Sequence, residues 1–328
     1  MRRYARIAAY VAYIVLFCIG AGEITVRLLY DRFRNYNMEM WRYASDIKRP
    51  LPRSDLPFHH FPGKTGTYYG VKIETNSMGF RDTECAVEKP NGKTRIIALG
   101  DSFTLGWGVE FAETFSQRLE HLLAERGYPV EVINMGVGNY NTTMEVELFK
   151  WKGLALDPDV VILMFFVNDP EPVPPRRPAL TYAAIKHSYF GAFLFDRLVR
   201  VRARFIKSFE WDRYYRSLYS ARNEANIRAN MQAVKDLIAT CRAGGIRLLI
   251  VNIPEMHDLK NYRFGYATDY IRNLAEEGGV PFLDLLPALA AYEPESLWVS
   301  PEDPHANSRA NAVMADEIMG AVLGAGVL

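Results

Sequence analysis

A serine stands directly after a short apolar run in Ile96-Ile97-Ala98-Leu99-Gly100-Asp101-Ser102-Phe103, and a helical pattern follows it. A serine at such a strand-to-helix turn sits at the carboxyl edge of a sheet. Its hydroxyl is exposed there, and neighbouring backbone N–H groups can stabilise an oxyanion. Alone, Gly-Asp-Ser is equally an ordinary turn and helix cap. Three further segments bear on the choice. Asn134-Met135-Gly136-Val137-Gly138-Asn139-Tyr140-Asn141 is a glycine-containing loop whose backbone can approach a ligand closely. Asn168-Asp169 follows the most apolar run of the chain, where Asn168 is either a turn residue or an oxyanion donor. Glu302-Asp303-Pro304-His305-Ala306-Asn307 precedes the last helical stretch. A lone histidine there starts a helix as readily as it catalyses, but an acid two positions earlier can orient its ring.

Other chemistries fail on spacing. The chain has no glycine-rich phosphate loop ending in Lys-Ser/Thr, no His-Glu-x-x-His, and no dinucleotide fingerprint at the first strand. No metal or cofactor is expected. There is no Gly-x-Ser-x-Gly elbow either, which argues against an ordinary α/β-hydrolase.

The elements that must position these residues can be read from residue 95 onward, where apolar strands alternate with amphipathic helices. Strands are expected at 96–99, 130–134, 160–167, 247–253 and 280–283, and helices at 113–126, 142–154, 224–242, 266–277 and 308–323. The continuous apolar run 160–167 marks a central strand covered on both faces. Gly244-Gly245 ends the long helix before it. Such alternation implies an α/β fold, a parallel sheet with right-handed crossovers and helices on both faces, with the site at the carboxyl ends of the strands. Residues 35–93 read as an irregular connector with short strands such as 67–74. An insertion at 170–220 opens with five prolines from Pro170 to Pro178 and continues with aromatics interleaved with arginines. It reads either as amphipathic helices capping the sheet or as a lid meeting head groups or an anionic polymer.

The four blocks, taken in this order, resemble the SGNH (GDSL-type) hydrolase superfamily, and Asn76-Ser77-Met78-Gly79-Phe80-Arg81 resembles a segment upstream of the core in anchored bacterial members. The resemblance spans roughly residues 94–323. It implies a three-layer α/β/α sandwich around a mainly parallel five-stranded sheet. It also implies Ser102 as nucleophile, His305 as base, Asp303 as its orienter, and oxyanion donors from Ser102, the Gly138–Asn139 stretch and Asn168. Two positions depart from the pattern. Many members have glycine where this chain has Asn139, and many separate the last acid and histidine by two residues, so Glu302 competes with Asp303. Asp101 and His257 are candidate substrate contacts. The implied activity is hydrolysis of an acyl ester, an O-acetyl or similar group on a cell-envelope glycan. An O-acyltransferase using the same residues and a catalytically silent glycan-binding module are the alternatives.

Composition fits these readings. Of 328 residues 49% are hydrophobic, and the net charge of +1 gives no electrostatic reason to expect nucleic acid as a partner. Three cysteines exclude a disulfide framework, and only Cys85 and Cys241 could pair. Between Arg6 and Arg27, Glu23 is the only charge, and that run covers roughly 30 Å as a helix, the thickness of a bilayer core. The expectation is an uncleaved single-pass anchor in the inner membrane with the catalytic domain in the periplasm; a cleaved signal peptide and a buried core helix are the other readings. The division expected is 1–34 anchor, 35–93 connector and 94–328 hydrolase domain.

Overall fold

The computed structural model describes residues 2–33, 35–174, 188–205, 211–324 and 326–328. The chain forms two compact units: residues 1–46 with 176–209, and residues 47–175 with 210–328.

The larger unit is built on a five-stranded parallel sheet. Four short strands precede it: β1 (Lys48–Pro50) pairs with β2 (Phe58–His60), and β3 (Thr65–Tyr68) pairs with β4 (Val71–Glu74), both antiparallel. The sheet strands are β5 (Thr94–Leu99), β6 (Val130–Asn134), β7 (Val160–Phe166), β8 (Arg247–Ile253) and β9 (Phe282–Asp284), in the order β6-β5-β7-β8-β9. The chain steps to one side of β5 for β6 and to the other for β7. The carboxyl end of β5 is therefore a topological switch point, the crevice where open α/β sheets take ligands.

Alternation along the strands feeds two cores. Ile96, Ala98, Ile162, Met164, Leu249 and Val251 face one side with helices Phe115–Glu125 and Ser308–Gly324. Ile97, Leu99, Leu163, Phe165, Leu248 and Ile250 face the other with helices Thr142–Leu148 and Glu224–Ala243. This is the three-layer arrangement expected, and β7 is buried along its whole length. After the sheet, β10 (Trp298–Ser300) and β11 (Asp303–Ala306) form an antiparallel hairpin with a register shift.

Several local expectations need correction. The helix expected over 142–154 is α-helical only to Leu148, then widens into a π turn over Phe149–Gly153 and tightens over Leu154–Leu156. The connector is not irregular at its start: Tyr36–Asp46 is a helix whose first turn is capped by the Asn35 side chain, which accepts from the Met38 N–H at 3.2 Å. The insertion divides. Helix Trp211–Leu218 packs Tyr215 and Leu218 into the sheet core, whereas helix Tyr189–Phe205 belongs to the smaller unit. Pro175 and Pro178 lie outside the described residues. All three cysteines are free.

The smaller unit contains helix Arg2–Leu28, long and apolar enough to cross a membrane. Its C-terminal end is tied into the unit. The Glu23 carboxylate accepts from the Ser188 hydroxyl at 3.0 Å and from the Tyr189 and Phe190 N–H groups at 3.1 and 2.9 Å, capping helix Tyr189–Phe205. Val26, Met38 and Ala192 are buried together beside it.

Candidate active site

Ser102 begins the short helix Ser102–Leu105 straight after β5, and the preceding Asp101 caps that helix by accepting from the Phe103 N–H at 2.8 Å. Asp101 is 3% exposed. One of its carboxylate oxygens is thus engaged by the backbone that presents the serine. The Ser102 hydroxyl donates to Nε2 of His305 at 2.8 Å, and His305 Nδ1 donates to Asp303 Oδ1 at 2.5 Å. Because Nδ1 carries its proton toward the carboxylate, Nε2 is left as the acceptor.

The short acid-to-histidine spacing has a structural explanation. Asp303 and His305 lie on β11, where residues two apart project to the same face. An intervening Pro304 costs little on a strand that is paired on one side only. Glu302 is exposed and its carboxylate accepts from the Ser300 hydroxyl at 3.4 Å, so it does not meet the ring.

Burial opposes the His305 imidazolium, but the charge of Asp303, its hydrogen bond and the charge of Asp101 outweigh it, and the ring is held above the ordinary histidine value. Asp303 is held below the carboxylate range despite its burial, through His305 and through Trp107.

Trp107 was not singled out by sequence reasoning. Its Nε1–H donates to the second Asp303 oxygen at 3.0 Å, so both carboxylate oxygens are engaged and the acid cannot rotate away. Only its place five residues after Ser102 could have hinted at this. Trp107→Phe is expected to lower kcat about tenfold, the weight of one hydrogen bond to a charged group, with KM unchanged. Steady-state kinetics on a small ester checks this, and a wild-type kcat contradicts it.

The segment Asn76–Arg81 has a mechanical task. The Arg81 guanidinium is buried and donates to the carbonyls of Leu105 at 3.0 Å, Gly106 at 2.5 Å and Val109 at 2.7 Å. It thereby pins the far end of the nucleophile helix and the turn carrying Trp107.

The glycine-containing loop follows β6. A Cβ on Gly136 would lie 2.2 Å from the Leu105 nitrogen, so only glycine lets this loop close onto the nucleophile helix. The Gly136 N–H donates to Asn134 Oδ1 at 2.9 Å, that of Val137 to Gly100 at 3.1 Å and that of Tyr140 to Val137 at 3.1 Å. The Asn139 N–H has no acceptor among the described residues. Asn139 has φ of 63°, the left-handed conformation that glycine usually supplies and asparagine tolerates best among other residues. This accounts for asparagine at a position where glycine is common. Asn168 follows β7, and its buried Oδ1 likewise finds no partner among the described residues.

Asp101, Glu145 and Asp169 are buried close enough to one another to interact. Burial pushes all three up, Asp101 to about 6; repulsion from Asp169 and Asp101 adds to the rise at Glu145, and repulsion from Asp101 to that at Asp169. His257 stands on the loop after β8. Its Nδ1 pairs with buried Glu255, and its ring lies 5.4 Å from that of Trp298 on the hairpin that carries Asp303 and His305. Among the described residues no group of three or more histidine, cysteine or acidic side chains could hold a metal ion.

A serine hydroxyl, an imidazole whose Nε2 faces it, a carboxylate held by two donors and an unengaged backbone N–H are groups that can carry out acyl transfer. The model of the GDSL-like lipase/acylhydrolase family matches residues 98–313. Among solved structures, the acetyl xylan esterase AlAXEase aligns at 19% identity over 70% of this chain and 99% of its own, with a TM-score of 0.45. A catalytic mutant of Axe2, an acetylxylan esterase from Geobacillus stearothermophilus, aligns at 13% identity over 70% and 94%, with a TM-score of 0.46. TesA aligns at 12% identity over 70% and 98%, with a TM-score of 0.48. A search of curated proteins finds no match.

Proposed function

Since the chain belongs to the GDSL-like lipase/acylhydrolase family, we propose that it is a serine esterase that removes an O-acetyl or similar acyl group from a cell-envelope glycan through an acyl-serine intermediate. The observation that carries this reading is the continuous hydrogen-bonded line from Ser102 Oγ through His305 to Asp303. Ser102 attacks the ester carbonyl while His305 Nε2 takes its proton. The oxyanion is met by the Ser102 and Asn139 N–H groups and the Asn168 amide. His305 then returns the proton to the leaving sugar oxygen, and a water activated by the same nitrogen releases the acid. Asp303 stabilises the imidazolium that forms in each half-reaction.

The test is release of acid from O-acetylated oligosaccharides by the purified protein, with and without an unacetylated acceptor. Free acetate in both supports an esterase. Acetyl groups appearing on the acceptor in place of free acetate replace hydrolysis by transfer, since only the second nucleophile differs.

The proposed location is the inner membrane, with the helix Arg2–Leu28 as an uncleaved anchor and the catalytic unit outside the cytoplasm. The Glu23 cap and the burial of Val26 support retention, because a leader destined for cleavage has no use for tertiary contacts at its outward end. The protein is therefore expected in the membrane fraction after a carbonate wash, with its N-terminal segment detected by mass spectrometry. A mature chain starting just after Gly20-Ala21-Gly22 contradicts the anchor.

A further inference from the structure

The connector residue Lys48, on β1, reaches the oxyanion loop. Its ammonium donates to the Gly138 carbonyl and, at 2.9 Å, to Asn139 Oδ1, and it lies 4.4 Å from the centre of the Phe58 ring. The side chain is 5% exposed. A second tether joins the same two pieces: the Tyr140 hydroxyl donates to the Phe58 carbonyl at 2.6 Å.

The Gly138 carbonyl and the Asn139 N–H belong to one planar, trans peptide, so they point in opposite directions. A group that grips the carbonyl therefore fixes where the N–H points. A cation on the oxygen also draws electron density from the nitrogen and strengthens the N–H as a donor. The grip on Asn139 Oδ1 holds the same residue in its left-handed backbone, which few side chains tolerate.

We propose that Lys48 is a positioning residue for the reaction: it orients and polarises the Gly138–Asn139 peptide so that the Asn139 N–H serves as an oxyanion donor. The inference rests on the esterase reading above. It adds that the connector, lying outside the segment matched by the family, completes the oxyanion site. Burial pushes Lys48 well below the ordinary lysine value, while the Gly138 carbonyl, Asn139 Oδ1 and the Phe58 ring are groups that favour an ammonium beside them.

The test compares Lys48→Met, Lys48→Gln and Lys48→Arg in the full-length protein on a small acetate ester. Alongside them, binding of a trifluoromethyl ketone that forms a tetrahedral adduct on the serine is measured. Lys48→Met is expected to lower kcat by ten- to a hundredfold with KM within twofold, and to weaken the ketone by the same factor. Lys48→Arg is expected to recover most of the rate, because it restores a charged donor. Lys48→Gln, which keeps a neutral donor of similar reach, is expected to fall between them and serves as the test if Lys48→Met does not fold. A folded Met or Gln variant with wild-type kcat and wild-type ketone affinity overturns the proposal, as does a loss confined to thermal stability. Ser102→Ala is run in parallel. If ester turnover persists in that variant, it is the esterase reading that fails, whatever Lys48 shows.

Discussion

Ser102→Ala is expected to lower kcat for ester hydrolysis by roughly 10⁴- to 10⁶-fold while leaving the fold intact. Removing a nucleophile that acts as a unit with its base leaves only binding and the oxyanion donors to accelerate the reaction, and the remaining members cannot compensate. The effect on stability should be about 1 kcal/mol, the net weight of a neutral hydrogen bond such as that of the hydroxyl to His305. Paired measurements of turnover and thermal unfolding check both halves. More than a few per cent of wild-type turnover in a folded variant removes Ser102 from the mechanism.

Asp303→Asn is expected to cost about 10⁴-fold in kcat. An amide at this place can donate to Nδ1 and so favours the tautomer with its proton on Nε2, where the serine needs an acceptor. Trp107 Nε1–H, a donor only, would hold the amide oxygen on its own side and so turn the NH2 group toward Nδ1. Glu302→Gln should cost little, since its carboxylate is exposed. The pH profile gives an independent reading. His305 works as a base only when neutral, so activity rises with pH through its titration. With Asp303 charged beside it, that rise lies above the ordinary histidine range. In Asp303→Asn the attraction that raises it is gone while burial remains, so the residual activity should begin to rise at lower pH. A limb that stays in place, or a larger loss from Glu302→Gln, would transfer the orienting role elsewhere.

The sheet and its edge were legible because apolar strands buried on both faces leave little room for another reading. The run that became β7 is buried from Val160 to Phe166 and could hardly be anything but central. The placing of Ser102 after β5 followed from the same logic. Less legible was whatever depends on contacts between residues far apart in the chain. Trp107 carries no signal of its own in the sequence, because its partner Asp303 lies almost two hundred residues away on β11. Arg81 stood in a recognisable segment, but its three carbonyl partners on the nucleophile turn could not be read from spacing. Lys48 lay in a stretch taken as irregular, since strands of three residues carry almost no periodic signal. The capping part of Asp101 was hidden for a simpler reason. An acid beside a nucleophile suggests chemistry, whereas here its geometry is that of a helix cap, which the tripeptide alone also allowed.

Covalent acyl transfer through Ser102 requires an acyl-serine intermediate that can be trapped. The full-length protein is mixed with an activated acetate ester, quenched in acid within the first turnover, digested and read by peptide mass spectrometry. An acetyl group is expected on the peptide containing Ser102, absent from Ser102→Ala and formed far more slowly in Asp303→Asn. Turnover of the ester with no acetyl adduct on Ser102, or with the adduct on another residue, would contradict it.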